Sequence, residues 1–206
     1  MDYVAARKIT GSFSGMRMSD ILAIRRDALG RTEMELPTAP LMAARVRHYL
    51  ELIPTHVQLM PGARAAMEAA AGSCVVAVVS SEVTPCIQAV LHQFGLEDLV
   101  TYVVGGDNVA HGKPAPECYE LAHARLQGLA AAAKDECLAV EDSTAGAAAA
   151  LAAGLPLCFV PSPFDPAPEG LTAHYRLASL TGFPALVQML QSSESRESAR
   201  PGDSIH

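Results

Sequence analysis

No run of about 18 or more uncharged apolar residues occurs in the chain, so no membrane-spanning helix is expected. No basic stretch followed by an apolar segment opens it, which argues against secretion and for a cytoplasmic protein. Basic charge is not in excess. The 206 residues carry a formal net charge of −7, which argues against a nucleic-acid surface and leaves phosphate ligands open, since local donors read those. None of the five cysteines forms a CxxC pair, and Cys74, Cys137 and Cys158 fall in strand-like runs, as buried thiols do in a reducing compartment. The seven histidines include no HExxH pair, so a zinc site is not expected. No internal repeat is visible.

Half of the residues are apolar, enough for one large domain or a core with a small second domain. The first part of the chain is helical in pattern. Residues 19–30 have apolar positions at helical spacing and stop at Gly30, and residues 39–53 form a second amphipathic segment. Pro37, Pro40 and Pro54 punctuate them. From Pro61 the pattern alternates. A helix ends at Gly72, and CVVAVVS (74–80) reads as a strand buried on both faces. Thr84 and Pro85 then open a helix as N-cap and first residue. Further strands are expected at 99–104, 137–140 and 155–160, with helices over 116–127, 144–154 and 183–190. Such alternation predicts an α/β fold with a doubly wound parallel sheet. The boundaries expected are a partial helical cap over 1–56, an α/β core over 57–191 and a disordered polar tail over 192–206.

In an open parallel sheet, ligands bind at the carboxyl ends of the strands. After 74–79 come Ser80, Ser81 and Glu82. After 99–104 come Gly105, Gly106 and Asp107, with Lys113 a few residues on. After 137–140 come Glu141, Asp142 and Ser143. Ser80 can donate to a phosphate oxygen beside a helix N-terminus. Lys113 offers a compact positive charge to a phosphoryl oxyanion. Glu141 and Asp142 are hard oxygen ligands suited to Mg²⁺. Taken singly, each has a plainer reading: a turn serine, a solvated lysine, an acid beside a helix start.

Ser80 after its strand, then GKPAPECYELA (112–122), then VEDSTAGAAAALAAG (140–154), resemble the second, third and fourth motifs of the haloacid dehalogenase superfamily. The similarity is to its phosphatase and β-phosphoglucomutase-like branch with a helical cap, and it covers about residues 9–190. PGARAAMEAA resembles the return from cap to core, and FSGMRMSDILAI (13–24) the cap stretch near substrate. The resemblance implies a Mg²⁺-dependent phosphatase acting on a small phosphorylated metabolite, such as a sugar phosphate. Ser80, Ser81 and Lys113 would bind phosphate, with Lys113 catalytic. Glu141 and Asp142 would hold Mg²⁺, and Gly15 and Arg17 would face substrate from the cap. A monomer or weak homodimer is expected. Glu82 stands where many relatives carry a small polar residue.

The superfamily's first motif, an apolar strand ending in D-x-D-G with the nucleophilic aspartate, is absent. Its layout places that strand, the nucleophile loop and a first cap helix before Met1, on the order of 30 residues. The chain is therefore expected to be truncated and inactive alone. The absent strand would lie between the strand leading to Ser80 and that leading to Glu141. Unpaired strand edges cost about 1–3 kcal/mol per buried group, against a domain stability of ~5–15 kcal/mol. Poor folding is expected unless the flanking strands close together or another chain fills the slot. Two alternatives stand beside the enzyme: a nucleophile-less protein that binds metal or a phosphorylated ligand, and a phosphomutase.

Overall fold

The structure, a computed structural model, describes residues 13–35, 37–162, 165 and 170–198. Two helices come first, α1 (Met18–Ala28) and α2 (Thr38–His56). Pro54 lies inside the last turn of α2 rather than beyond it. The alternating part then runs α3 (Ala63–Ala71), β1 (Ala77–Val79), α4 (Thr84–Gln93), β2 (Tyr102–Val104), α5 (Glu117–Ala130), β3 (Ala139–Glu141), α6 (Thr144–Ala152) and β4 (Leu157–Phe159). A short strand β5 (Tyr175–Arg176), which the sequence does not announce, and helix α7 (Phe183–Ser198) close the order.

Each strand is shorter than its apolar run; β2 is the last half of 99–104, and β3 starts at Ala139 and extends one residue further, to Glu141. α7 continues through residues expected to belong to the disordered tail, while the part of that tail beyond 198 lies outside the described residues, as do the first twelve residues of the expected cap. Thr84 is not the cap of α4. Val83 holds that position, and the Thr84 N–H and hydroxyl instead donate to Asp107 Oδ1, both at 2.8 Å.

All strand pairs are parallel, as expected of an α/β fold, but the ladders form two pieces. β1 pairs with β2, and β4 lies between β3 and β5. No ladder joins β1 to β3 among the described residues. The break falls between β1 and β3, where the resemblance leads one to expect a further strand. Val140 records it: Ala139 and Glu141 on either side are buried, yet Val140 is 38% exposed. A residue in the middle of a fully flanked parallel strand would be covered on both faces.

Three apolar clusters hold the elements. The largest joins Val104, Leu157 and Phe159 to the inward faces of α5 and α6. The alanines of α6 make this approach possible, because Ala147, Ala149 and Ala150 are fully buried. A second cluster seats α3 on α7 through Ala66, Phe183, Leu186 and Val187, and a third packs Ile87 and Leu91 of α4 over Leu96.

Gly62 starts α3 in a left-handed conformation (φ +84°), and a Cβ there would overlap the backbone of Leu180 and Thr181. Gly30 is also left-handed (φ +60°) but faces open space. Urea unfolding should show Gly62→Ala losing roughly 2–3 kcal/mol and Gly30→Ala only about 1 kcal/mol. Equal losses would remove the close approach to Leu180 and Thr181 as the cause.

Candidate active site

The carboxyl ends of β1 and β3 face one another across the break, and one side chain spans them. Lys113 Nζ donates to the Val79 carbonyl at 3.1 Å and to Glu141 Oε1 in a short ion pair. Both side chains are buried, Lys113 at 5% and Glu141 at 7% exposure. Glu141 is the last residue of β3, so strand alternation turns it inward beside Ala139's face. Its Oε1 also accepts from the Tyr119 hydroxyl at 2.5 Å, and its Oε2 from the Ser143 hydroxyl at 3.2 Å. Burial, followed by the negative charge of Glu141, pushes the Tyr119 hydroxyl well above its ordinary pKa, so it stays a donor. Tyr119 escaped the sequence reading although it lies in the ECYE stretch that follows Lys113.

A pocket of about 250 Å³ opens over this pair, lined by Gly15, Ser80, Ser81, Lys113, Glu141, Asp142 and Ser143. Six of the seven site residues named from the sequence thus meet in one place. Ser80 Oγ accepts the Glu82 N–H at 3.1 Å, which leaves its proton for a ligand. Ser81 differs: its hydroxyl donates to the Gly15 carbonyl at 2.5 Å, so it ties the cap stretch down and offers only its backbone to the pocket. Gly15 is left-handed (φ +77°), and a Cβ there would overlap the Ser143 side chain. That close approach wedges residue 15 between the Ser81 loop and the start of α6.

The seventh residue, Arg17, does not face the pocket over Lys113. All five of its N–H donors are engaged. Nε and Nη2 grip both oxygens of Asp20 at 2.8 Å. Nη1 donates to the Gly106 and Val109 carbonyls, and Nη2 to that of Ala110. A Cβ on Gly112 would lie 2.5 Å from Arg17 Nε and 2.6 Å from Asp20 Oδ2, so glycine is what lets the loop before Lys113 pack on the pair. Arg17 therefore latches α1 to that loop. The loop's N–H groups at Ala110 and His111 are held from the other side by Glu117, each at 2.7 Å.

Asp142 leans into the pocket. Ser143 caps α6 by accepting the Gly146 N–H at 3.1 Å, and Asp165, from the proline-rich loop, takes the Thr144 N–H and hydroxyl at 2.8 and 2.9 Å. Asp165 is buried and was not singled out from the sequence. A Cβ on Gly146 would overlap the Glu141 carboxylate, which explains a glycine inside an alanine helix. Burial and then the Glu141 charge push the Asp142 carboxyl above its ordinary pKa. Since Asp142 is open to solvent, the charge of Glu141 is the firmer cause. No group of three or more metal-binding side chains forms among the described residues, so these residues hold a cation only with oxygens supplied by a ligand, water or another segment.

A second cavity of about 420 Å³ adjoins the first and shares Ser81 with it. Arg45 of α2 crosses it to form a forked pair with Glu82. Burial alone would raise the Glu82 carboxyl, but the Arg45 bonds and the Val83 N–H outweigh it and hold the group below its usual range.

Comparison with known proteins agrees with this geometry. A family model described as haloacid dehalogenase-like hydrolase matches residues 16–154. Protein CbbY of Rhodobacter capsulatus is 31% identical over 185 residues, covering 87% of this chain and 77% of that protein. Phosphoglycolate phosphatase of Rhodospirillum rubrum is 30% identical over 160 residues, covering 76% of this chain and 64% of that one. A crystal structure of CbbY from Rhodobacter sphaeroides in complex with xylulose-(1,5)bisphosphate superposes with a TM-score of 0.73 at 24% identity, covering 87% of this chain and 79% of that one. The last likeness is one of fold.

Two outcomes are expected. Lys113→Ala leaves a buried carboxylate unpaired and should cost about 3–5 kcal/mol, whereas the double variant Lys113→Met with Glu141→Gln should lose far less. Chemical unfolding of the two variants and the parent checks this; a double variant as unstable as the single would refute it. Asp142 has a raised pKa in the folded state, so it binds its proton more tightly when folded. Its contribution is fully present below its unfolded pKa and lost as pH rises through its folded value. Asp142→Asn should therefore raise the melting temperature at pH 7, with the gain fading as the pH falls below the ordinary carboxylate range.

Proposed function

The chain belongs to the haloacid dehalogenase-like hydrolase family, and from that premise we propose that it serves a Mg²⁺-dependent phosphatase acting on a small phosphorylated metabolite, a sugar phosphate being the class favoured. The observation that carries this reading is the convergence of Ser80, Lys113, Glu141 and Asp142 on one pocket. The names of the relatives, one of them a phosphoglycolate phosphatase, and the sugar bisphosphate held by the Rhodobacter sphaeroides protein point the same way.

The residues divide the work. Ser80 donates its free proton to a phosphoryl oxygen. Lys113 has three N–H donors; Val79 and Glu141 take two, which leaves one for an oxyanion developing in the pocket. Glu141 holds Lys113 in place, and Tyr119 and Ser143 hold Glu141. The donor set fits a hard cation through Asp142, an exposed carboxylate that lines the pocket beside Glu141. Both Glu141 oxygens already accept hydrogen bonds, so Glu141 would serve such a cation as its second carboxylate. Bound Mg²⁺ would supply positive charge to the phosphate. We propose further that the attacking aspartate belongs to a strand seated between β1 and β3, where Val140 is left open. The domain division at residue 56 and a cytoplasmic location are part of the same proposal. A mutase needs cap contacts for the phosphate that is not transferred, and Arg17, the cation expected to face substrate from the cap, has all its donors engaged, so hydrolysis is preferred to transfer.

Two measurements test this. Coding DNA read in frame upstream of Met1 should encode an apolar strand ending in D-x-D-G; an in-frame stop directly upstream would count against the reading. Protein carrying that strand should release inorganic phosphate from sugar phosphates with Mg²⁺ and not with EDTA. Asp142→Ala should lower that turnover on the order of 10²-fold or more, and near-normal turnover would overturn the metal role.

A further inference from the structure

The two cavities differ in what they can accept. The pocket over Lys113 is small and polar. The adjoining cavity of about 420 Å³ is within the size that holds a metabolite. Its apolar wall is Met16, Met18, Met42, Val83 and Val109, and Ser81 separates it from the first pocket. Methionine side chains are flexible and polarisable and fit irregular neutral surfaces.

Its charged residues are Arg17, Arg45, Glu82 and Asp107. Neither arginine is free. Arg17 spends its five donors on Asp20 and three carbonyls. Arg45 gives Nη1 and Nη2 to the two oxygens of Glu82. The carboxylate of Asp107 faces the same space while accepting from Thr84. Lys113, across Ser81, is paired with Glu141 and lines the first pocket, not this cavity. Among the described residues each lining cation is thus matched by a carboxylate, Arg17 by Asp20 and Arg45 by Glu82, and Asp107 adds a further negative charge. A phosphate dianion taken from water into such a wall would meet repulsion and leave its oxygens without a charged partner, which is costly.

Resting on the phosphatase reading above, we propose that the substrate is a phosphate monoester whose far end is uncharged, and that Glu82, by neutralising Arg45, is the residue that rejects a second phosphate. The Arg45–Glu82 pair is then a specificity determinant. It leaves phosphate binding at Ser80 and Lys113 alone and sets what is allowed about one cavity away. Glu82 also accepts the Val83 N–H through its carboxylate, a bond that glutamine can keep.

Titration calorimetry of the full chain with Mg²⁺ tests this, using n-butyl phosphate and butane-1,4-diyl bisphosphate as probes. The wild-type chain should bind the monoester at least about tenfold more tightly. Glu82→Gln, which frees Arg45, should bring the two probes level or reverse their order. Circular dichroism confirms that the variant is folded, and the wild-type ratio tests the proposal whether or not it is. Equal or tighter binding of the bisphosphate by the wild type overturns the proposal and leaves the phosphatase reading standing. Binding of neither probe, with inorganic phosphate also unbound, removes the phosphate site itself and this inference with it.

Discussion

The buried ion pair between Lys113 and Glu141 is the contact on which the rest of the site depends. It joins the end of β1 to the end of β3, two strands that no ladder connects. Burying two charges is expensive, and the return comes only where their remaining hydrogen-bonding capacity is met. Here it is met unusually well. Val79, Tyr119 and Ser143 surround the pair, and the Tyr119 ring lies 5.0 Å from the ammonium. Two glycines make the arrangement possible. Gly146 clears space for the Glu141 carboxylate, and Gly112 lets the loop carrying Lys113 pack against Arg17 and Asp20.

That second clearance links the cap stretch to the chemistry. α1 is anchored at its start by two ties into the core: the Gly15 carbonyl on Ser81, and Arg17 on the carbonyls of Gly106, Val109 and Ala110. The loop so gripped runs directly into Lys113. α2 adds a third tie through Arg45 and Glu82. Arg17 is then better described as a positioning residue than as a substrate ligand. Guanidinium suits this work because its planar fork can satisfy several carbonyls at once, which an ammonium could not do in the same geometry.

Strand–helix alternation and the placement of acids after apolar runs were legible in the sequence because both follow from periodicity. Ser80, Lys113, Glu141 and Asp142 are adjacent in space because parallel strands deliver their carboxyl ends to one edge, and that rule needs no coordinates. What escaped was long-range and polar. Asp165 reaches back to Thr144 across twenty-one positions, and Tyr119 reaches Glu141 across twenty-two; no local pattern announces either bond. The bonds that Ser81 and Arg17 make within the protein escaped for a related reason. Residue type fixes what a side chain can donate, but only the fold shows which acceptors reach it first. Strand β5 was missed because two residues inside a loop carry no periodicity.

The slot between the two sheet fragments and the charge of Asp142 belong to one problem. In an α/β sheet a middle strand pairs the backbone edges of its neighbours and packs its side chains beside theirs, and Val140 is left partly open here. At the same edge, Glu141 is held in an ion pair by Lys113, whereas burial and then the Glu141 charge outweigh the help of Lys113 and hold the Asp142 carboxyl above its ordinary pKa. Each deficit is of the kind an added segment and a cation would remove, the first by pairing backbone and covering Val140, the second by neutralising a carboxylate. Both lie at the carboxyl edge, within the span of one pocket. A strand entering the slot would end beside Lys113 and Asp142, so the segment that repaired the sheet would also complete the site. Stability and activity are in that sense controlled by the same few residues.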